Sequence, residues 1–156
     1  MLISGKGRYA ITAMMNLAMN DKQGPLSLAD ISQTQGISLS YLEQIFARLR
    51  KKGLVRGTRG RRGGYRLGRT AEAISMGDIV RAVEELETAD ESGFSLHQIE
   101  PEESLVDPYW KNLQGQLYGF LDKTSLAVSV AEAQIPSHLL AGMQAPTAQR
   151  DKLKYS

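Results

Sequence analysis

The 156-residue chain contains no cysteine, which excludes disulfides, thiolate metal sites and a cysteine nucleophile. Histidine is almost as scarce: His97 and His138 are the only two, too few and too far apart for a paired-imidazole metal site on a helix. No stretch of about 18 apolar residues occurs, so no membrane-spanning segment is expected. The opening MLISGKGRYAITAMM lacks the apolar run and small-residue cleavage site of a signal peptide, which points to the cytoplasm. A phosphate-cradling Gly-x-x-x-x-Gly-Lys loop and a Ser-His-Asp set on a nucleophile elbow are also missing, so an enzyme is not expected. The length suits one domain with a real core, or a small domain with a helical arm.

What is present is charge, unevenly placed. The net charge is only +2, yet residues 1–81 carry 14 Lys/Arg against 5 acids and residues 82–156 carry 5 against 12. Residues 48–69 hold 10 positive side chains and no acid. Within them, RGTRGRRGGYRLGR at 56–69 combines six arginines with five glycines. Scattered lysines would suggest a solvated face. Arginines interleaved with glycine beside an amphipathic helix suggest a nucleic-acid surface instead.

Three helices are predicted before that stretch. Residues 6–20 repeat apolar positions at three and four residues, through Tyr9, Ile11, Ala13, Met14, Leu17 and Ala18. Gly24-Pro25 breaks the pattern. Ser27 caps a helix at 28–35 that turns Leu28, Ala29 and Ile31 inward and stops at Gly36. In ISLSYLEQIFARLRKKG, Ser40 and Glu43 have capping-box spacing, and Leu42, Ile45, Phe46 and Leu49 form a buried stripe that ends at Gly53. Two helices joined by a short glycine-bearing turn give the helix-turn-helix outline. LVRGT and GGYRLG then alternate apolar and polar residues as two antiparallel strands joined by RGRR. Gly60, Gly63 and Gly64 would supply positive φ or close approach to another molecule. A hairpin tipped with arginine is suited to a narrow A·T-rich minor groove.

The remainder is also mainly helical. Ser75 and Asp78 cap a segment that returns Ile79, Val80, Val83 and Leu86 to the core. Residues 88–104 read as a polar acidic loop. Asp107-Pro108, as N-cap and first-turn proline, opens a long helix carrying Tyr109, Trp110, Leu113, Leu117, Phe120 and Leu121. Its aromatic weight exceeds what one layer of so small a domain needs. A second copy of the chain is the expected cover for Trp110, Leu113, Leu117, Phe120 and Leu121, with packing against its own domain as the alternative. A short helix follows at 125–133. The expected division is a winged helix-turn-helix at 1–84, a loop at 85–104, a dimerisation helix and short following helix at 105–133, and a flexible tail at 134–156. The fold class is mainly α with a two-stranded wing.

KGRYAITAMMNLA, PLSLADISQTQGISLSYLEQIFARLRKKGLV and RGRRGGYRLGR together resemble the winged helix-turn-helix of the Rrf2 family of bacterial transcription regulators, especially its iron-sulfur cluster branch. The likeness covers residues 1 to about 84 and continues more loosely through 110–126. It implies a cytoplasmic homodimer on palindromic operators, controlling iron-sulfur, iron or related stress and sulfur metabolism genes. It also implies that Ser38, Ser40, Tyr41, Glu43 and Gln44 face the major groove and that Arg59 enters the minor groove. Chemistry agrees: Gln44 can pair with adenine, Glu43 can accept from a cytosine amino group, and the hydroxyls reach phosphates or bases. Arg48, Lys51, Lys52, Arg56, Arg61 and Arg62 would supply electrostatic contacts to the backbone.

Cluster-binding members hold a [2Fe-2S] centre with three cysteines and a histidine before the dimerisation helix. The corresponding places here are Ser92, Gln98, Ser104 and Asp107, none a soft iron ligand. No cofactor is therefore expected. The serines would suit deliberate replacement, while Gln98, Asp107 and the acidic loop around them favour natural divergence. His97 lies among acids and is a weak metal candidate; a solvated loop with an incidental histidine is the plainer reading. Two other functions stay open: control by a protein partner or small molecule, and non-specific nucleic-acid binding, since a basic Gly/Arg stretch also suits RNA.

Overall fold

The computed structural model describes residues 4–84 and 107–134. The expected loop at 85–104, with Leu86, Ser92, His97, Gln98 and Ser104, lies outside the described residues. So does the tail beyond Gln134.

Among the described residues, six α-helices and one hairpin make a mainly helical winged helix-turn-helix. Helix α1 spans Gly5–Asn20, and the Ser4 hydroxyl at its N-terminus accepts from the Gly7 amide. Its buried residues Gly7, Ala10, Ala13, Met14 and Leu17 recur at three and four residues, one stripe against the core. Helix α2 runs over Leu28–Gln35, capped by Ser27. Ile31 is the buried residue of α2, while Ala29 is exposed. The expectation for Ala29 is corrected, because two positions along a helix is more than half a turn away from Ile31.

Gly36 ends α2 at φ 65, a left-handed conformation that favours glycine, and its amide donates to Ser32. The Ser32 hydroxyl donates to the Ile37 carbonyl at 2.5 Å, which fixes the turn. Helix α3, Leu39–Lys51, begins two residues later. It closes with a second left-handed glycine, Gly53 at φ 71. There the Gly53 amide reaches Arg50 and the Leu54 amide reaches Leu49, both at 3.0 Å. That double bond is a Schellman motif, and it buries Leu54 and turns the chain directly into the hairpin.

Strands β1, Val55–Thr58, and β2, Gly64–Leu67, pair antiparallel with Val55 opposite Leu67 and Thr58 opposite Gly64. Helix α4, Met76–Glu84, follows. Its start is a reciprocal capping box: the Asp78 amide donates to the Ser75 hydroxyl at 2.9 Å and the Ser75 amide donates to the Asp78 carboxylate at 3.1 Å. Helix α5 covers Asp107–Lys123 and α6 covers Leu126–Ala133, with Ser125 as the α6 cap. Asp107 is the first helical residue of α5 rather than the residue before it.

One core unites these pieces. Met14, Leu42, Ile45, Phe46, Leu49, Leu54, Ile74, Ile79, Val80, Val83 and Leu126 are all fully buried, and Leu121 is 8% exposed. The C-terminal helices are therefore seated on the N-terminal unit. Two backbone bonds hold the junction, from Leu126 to Ile74 and from Met76 to Thr124, each 2.8 Å. Leu121 is corrected as an expected interface residue, since the core of its own chain already covers it. Leu117 also packs partly against that core.

Candidate nucleic-acid interface

Helix α3 has two chemically distinct sides. Leu42, Ile45, Phe46 and Leu49 lie at three- and four-residue spacing and are buried, which anchors the helix rigidly. Ser38, Leu39, Ser40, Glu43, Gln44, Ala47, Arg50 and Lys51 are exposed. The helix N-terminus is set by Ser38, whose hydroxyl accepts from the Tyr41 amide at 3.3 Å. The expected capping box of Ser40 with Glu43 is thus corrected. Burying Ile37 and Leu42 as the flanking apolar pair requires the helix to start at Leu39. Ser40 and Glu43 are thereby left on the exposed side. Tyr41 is half-buried, its ring edge-on to Tyr9 at 5.8 Å, so it serves the core as well as the surface.

Arg48 and Arg66 bond to backbone carbonyls of the fold. Arg48 donates to the Val83 carbonyl at 3.0 Å. It therefore caps the far end of α4 with one N–H of the guanidinium, and the half-buried side chain is partly committed to the fold. Arg66 donates to the Asp21 carbonyl at 3.2 Å and stands 3.9 Å from the Asp21 carboxylate. Lys51, Lys52, Arg56, Arg59, Arg61 and Arg62 are exposed. Arg50 is exposed too. Its seven-residue offset from Glu43 places it two turns along the same side of α3, a signal that the sequence itself carries.

The wing is fixed at its base and open at its tip. Leu26 pairs with Tyr65 through two backbone bonds of 3.1 and 2.7 Å, and the Tyr65 ring lies 4.9 Å from Phe46. Gly60, at φ 117, and the bond from the Gly63 amide to the Gly60 carbonyl at 2.9 Å make the tip turn. Close approach at Gly63 and Gly64 is to the chain itself, to the Gly60 and Thr58 carbonyls and to Leu26 respectively. This corrects the expectation of approach to another molecule. Arg56 sits directly opposite Arg66 across the hairpin. Like charges in that register cost stability, and a surface that keeps them is suited to a polyanion.

The long helix leaves three aromatic side chains uncovered: Tyr109 at 62%, Trp110 at 44% and Phe120 at 66% exposure. Where α4 meets α5, Arg81 holds Asp122 with two bonds of 2.5 and 2.8 Å. The Arg81 guanidinium also lies 4.6 Å over the Tyr118 ring. These hydrogen bonds raise the Arg81 pKa and hold the Asp122 carboxyl below its usual 3.8.

A rigid exposed helix beside a basic hairpin defines the class: a winged helix-turn-helix nucleic-acid-binding protein. The chain belongs to the Rrf2 family, whose profile, described as an iron-dependent transcriptional regulator, matches residues 3–132. It is 44% identical over 135 residues to the HTH-type transcriptional regulator IscR of Escherichia coli (strain K12 / DH10B), covering 86% of this chain and 83% of that one. The solved structure of IscR from T. potens is similar with a TM-score of 0.69 and 34% identity, over 89% of this chain and 95% of that one. CymR, the global cysteine regulator of B. subtilis, is similar with a TM-score of 0.66 and 37% identity, over 83% and 96%. The chain is accordingly a transcriptional regulator and not an enzyme.

A cysteine-held iron-sulfur cluster does not fit this chain. The sequence supplies no thiolate, and amide, hydroxyl and carboxylate oxygens at positions 92, 98, 104 and 107 are hard donors that do not replace one. Among the described residues no group of three His, Asp or Glu side chains is gathered for a metal ion.

Proposed function

We propose that this regulator acts in the cytoplasm as a homodimer on palindromic operators, with α3 in the major groove and the Arg59 wing tip in the adjacent minor groove. The observation that carries the reading is the two-sided α3: a fully buried apolar stripe behind exposed Ser38, Ser40, Glu43 and Gln44. Exposed arginines at 56, 59, 61 and 62 supply the electrostatic share. Two-fold pairing is supported by the seam on α5, where exposed Trp110 and Phe120 flank half-buried Leu113 and Leu117 at spacings of three, four and three, as in coiled-coil seams. The iron-dependent description of the family profile and the likeness to CymR, a global cysteine regulator, favour iron-sulfur, iron, stress or sulfur metabolism genes as targets.

The signal is a protein partner or small molecule rather than a cysteine-held cluster. A hollow of about 550 Å³ beside the Arg81–Asp122 pair, lined also by Glu72, Ser75, Asp78 and Lys123, is the place where a polar effector would act on the α4–α5 junction. Selection of bound duplexes from a random library, followed by sedimentation of the complex, tests the proposal. A palindromic consensus bound by two chains is the expected result. Equal competition by random duplex and single-stranded RNA would favour non-specific binding instead.

A further inference from the structure

Resting on the DNA-binding reading above, we propose that Leu39 selects a thymine by its 5-methyl group, beside the base read by Glu43. Leu39 is the first residue of α3 and 44% exposed. A lone exposed leucine is ordinary on a protein surface, but the position of this one is not. Residues at the N-terminus of a recognition helix are those that reach base edges. The apolar pair that fixes the start of α3 is already complete without Leu39: Ile37 is 5% exposed and Leu42 is fully buried. Leu39 therefore has no capping duty, and its nearest neighbours in sequence, Ser38 and Ser40, are exposed and polar.

The helix places Leu39, Glu43 and Ala47 one turn apart on one exposed stripe, with successive Cβ atoms about 6 Å apart. That stripe presents an apolar group, a carboxylate and another apolar group. In the major groove a carboxylate accepts from the amino group of cytosine, and an apolar side chain is complementary to the thymine methyl. Both are pyrimidine features, so the stripe fits a thymine within a step or two of the cytosine opposite Glu43. Neither Ser38 nor Ser40 can make that distinction, because a hydroxyl pairs with several base edges.

Replacing thymine by uracil removes the methyl and leaves every hydrogen-bonding group in place. The experiment takes the duplex that the full-length wild-type protein selects from a random library and substitutes each thymine in turn, in both half-sites. Affinity is measured by fluorescence anisotropy for the wild type and for Leu39→Ala. One position is expected to weaken wild-type binding by roughly tenfold, the worth of two buried methyl groups, and to leave Leu39→Ala unaffected. Uniform tolerance of uracil by the wild type overturns the proposal without any variant being needed. A methyl dependence that persists in Leu39→Ala overturns it as well. Failure to enrich any sequence would instead strike the DNA-binding reading itself, so the two failures are distinguishable.

Discussion

Gly64→Ala tests how the wing is held. A Cβ at Gly64 would lie against the Leu26 carbonyl oxygen, 2.5 Å from its carbon and 2.9 Å from the Ser27 nitrogen, all backbone atoms. Backbone cannot swing aside as a flexible side chain would, so the Leu26–Tyr65 pairing must open. Its two hydrogen bonds, at 3.1 and 2.7 Å, contribute about 1 to 3 kcal/mol together. Shifting Tyr65 off Phe46 removes part of an aromatic contact worth about 0.5 to 1.5 kcal/mol. A central loss of about 2.5 kcal/mol corresponds to a fall in Tm of roughly 5 to 10 °C for a chain of this size. Gly57→Ala is the control, because its Cβ would meet only Tyr65 Cε1 at 4.0 Å, an ordinary contact. Thermal and urea denaturation of both variants, with operator affinity measured alongside, gives the answer. Gly64→Ala should melt early and lose the wing's share of binding, while Gly57→Ala stays close to the wild type. Equal melting of the two variants would refute the claim that Leu26 anchors the wing.

Arg59→Ala should cost about 1 to 3 kcal/mol of binding and act mainly at the minor-groove positions, whereas Lys51→Ala should weaken all sequences alike and lower the salt slope by about one; a titration series over ionic strength separates them. Trp110→Ala should raise the dimer dissociation constant roughly 30-fold or more, an interface aromatic of this kind being worth about 2 kcal/mol. Sedimentation unchanged by that substitution would remove α5 as the interface. Asp122 is held below its usual carboxyl value by Arg81, so its contribution is fully present above that usual value of 3.8 and is lost as pH falls through the lowered one. Denaturation midpoints of Asp122→Asn and wild type should therefore differ at neutral pH and converge in strong acid. The difference should be modest, because the pair is 38% and 43% exposed.

Much of the architecture was legible in the sequence because it is local. Ser27, Gly36 and Gly53 are punctuation that acts within a turn of itself, and the stripe Leu42, Ile45, Phe46 and Leu49 is fixed by helical period alone. The hairpin and its arginine tip follow from two-residue alternation around glycine. Zero cysteines excluded a thiolate-held cluster before any coordinates.

Tertiary structure decided what depends on distant partners. Ser40 read as the cap of α3 from its spacing to Glu43, whereas burial of Ile37 and Leu42 makes Ser38 the cap. Arg48 read only as a basic surface contact, and the fold also bonds its guanidinium to the Val83 carbonyl, 35 residues away. Leu121 and Leu126 belonged by sequence to a separate arm, yet they are buried with residues of the N-terminal unit. Gly64 proved tight against Leu26 and not against a ligand. Local pattern does not register such burial and contacts, which for Arg48, Leu121, Leu126 and Gly64 are made with residues far along the chain.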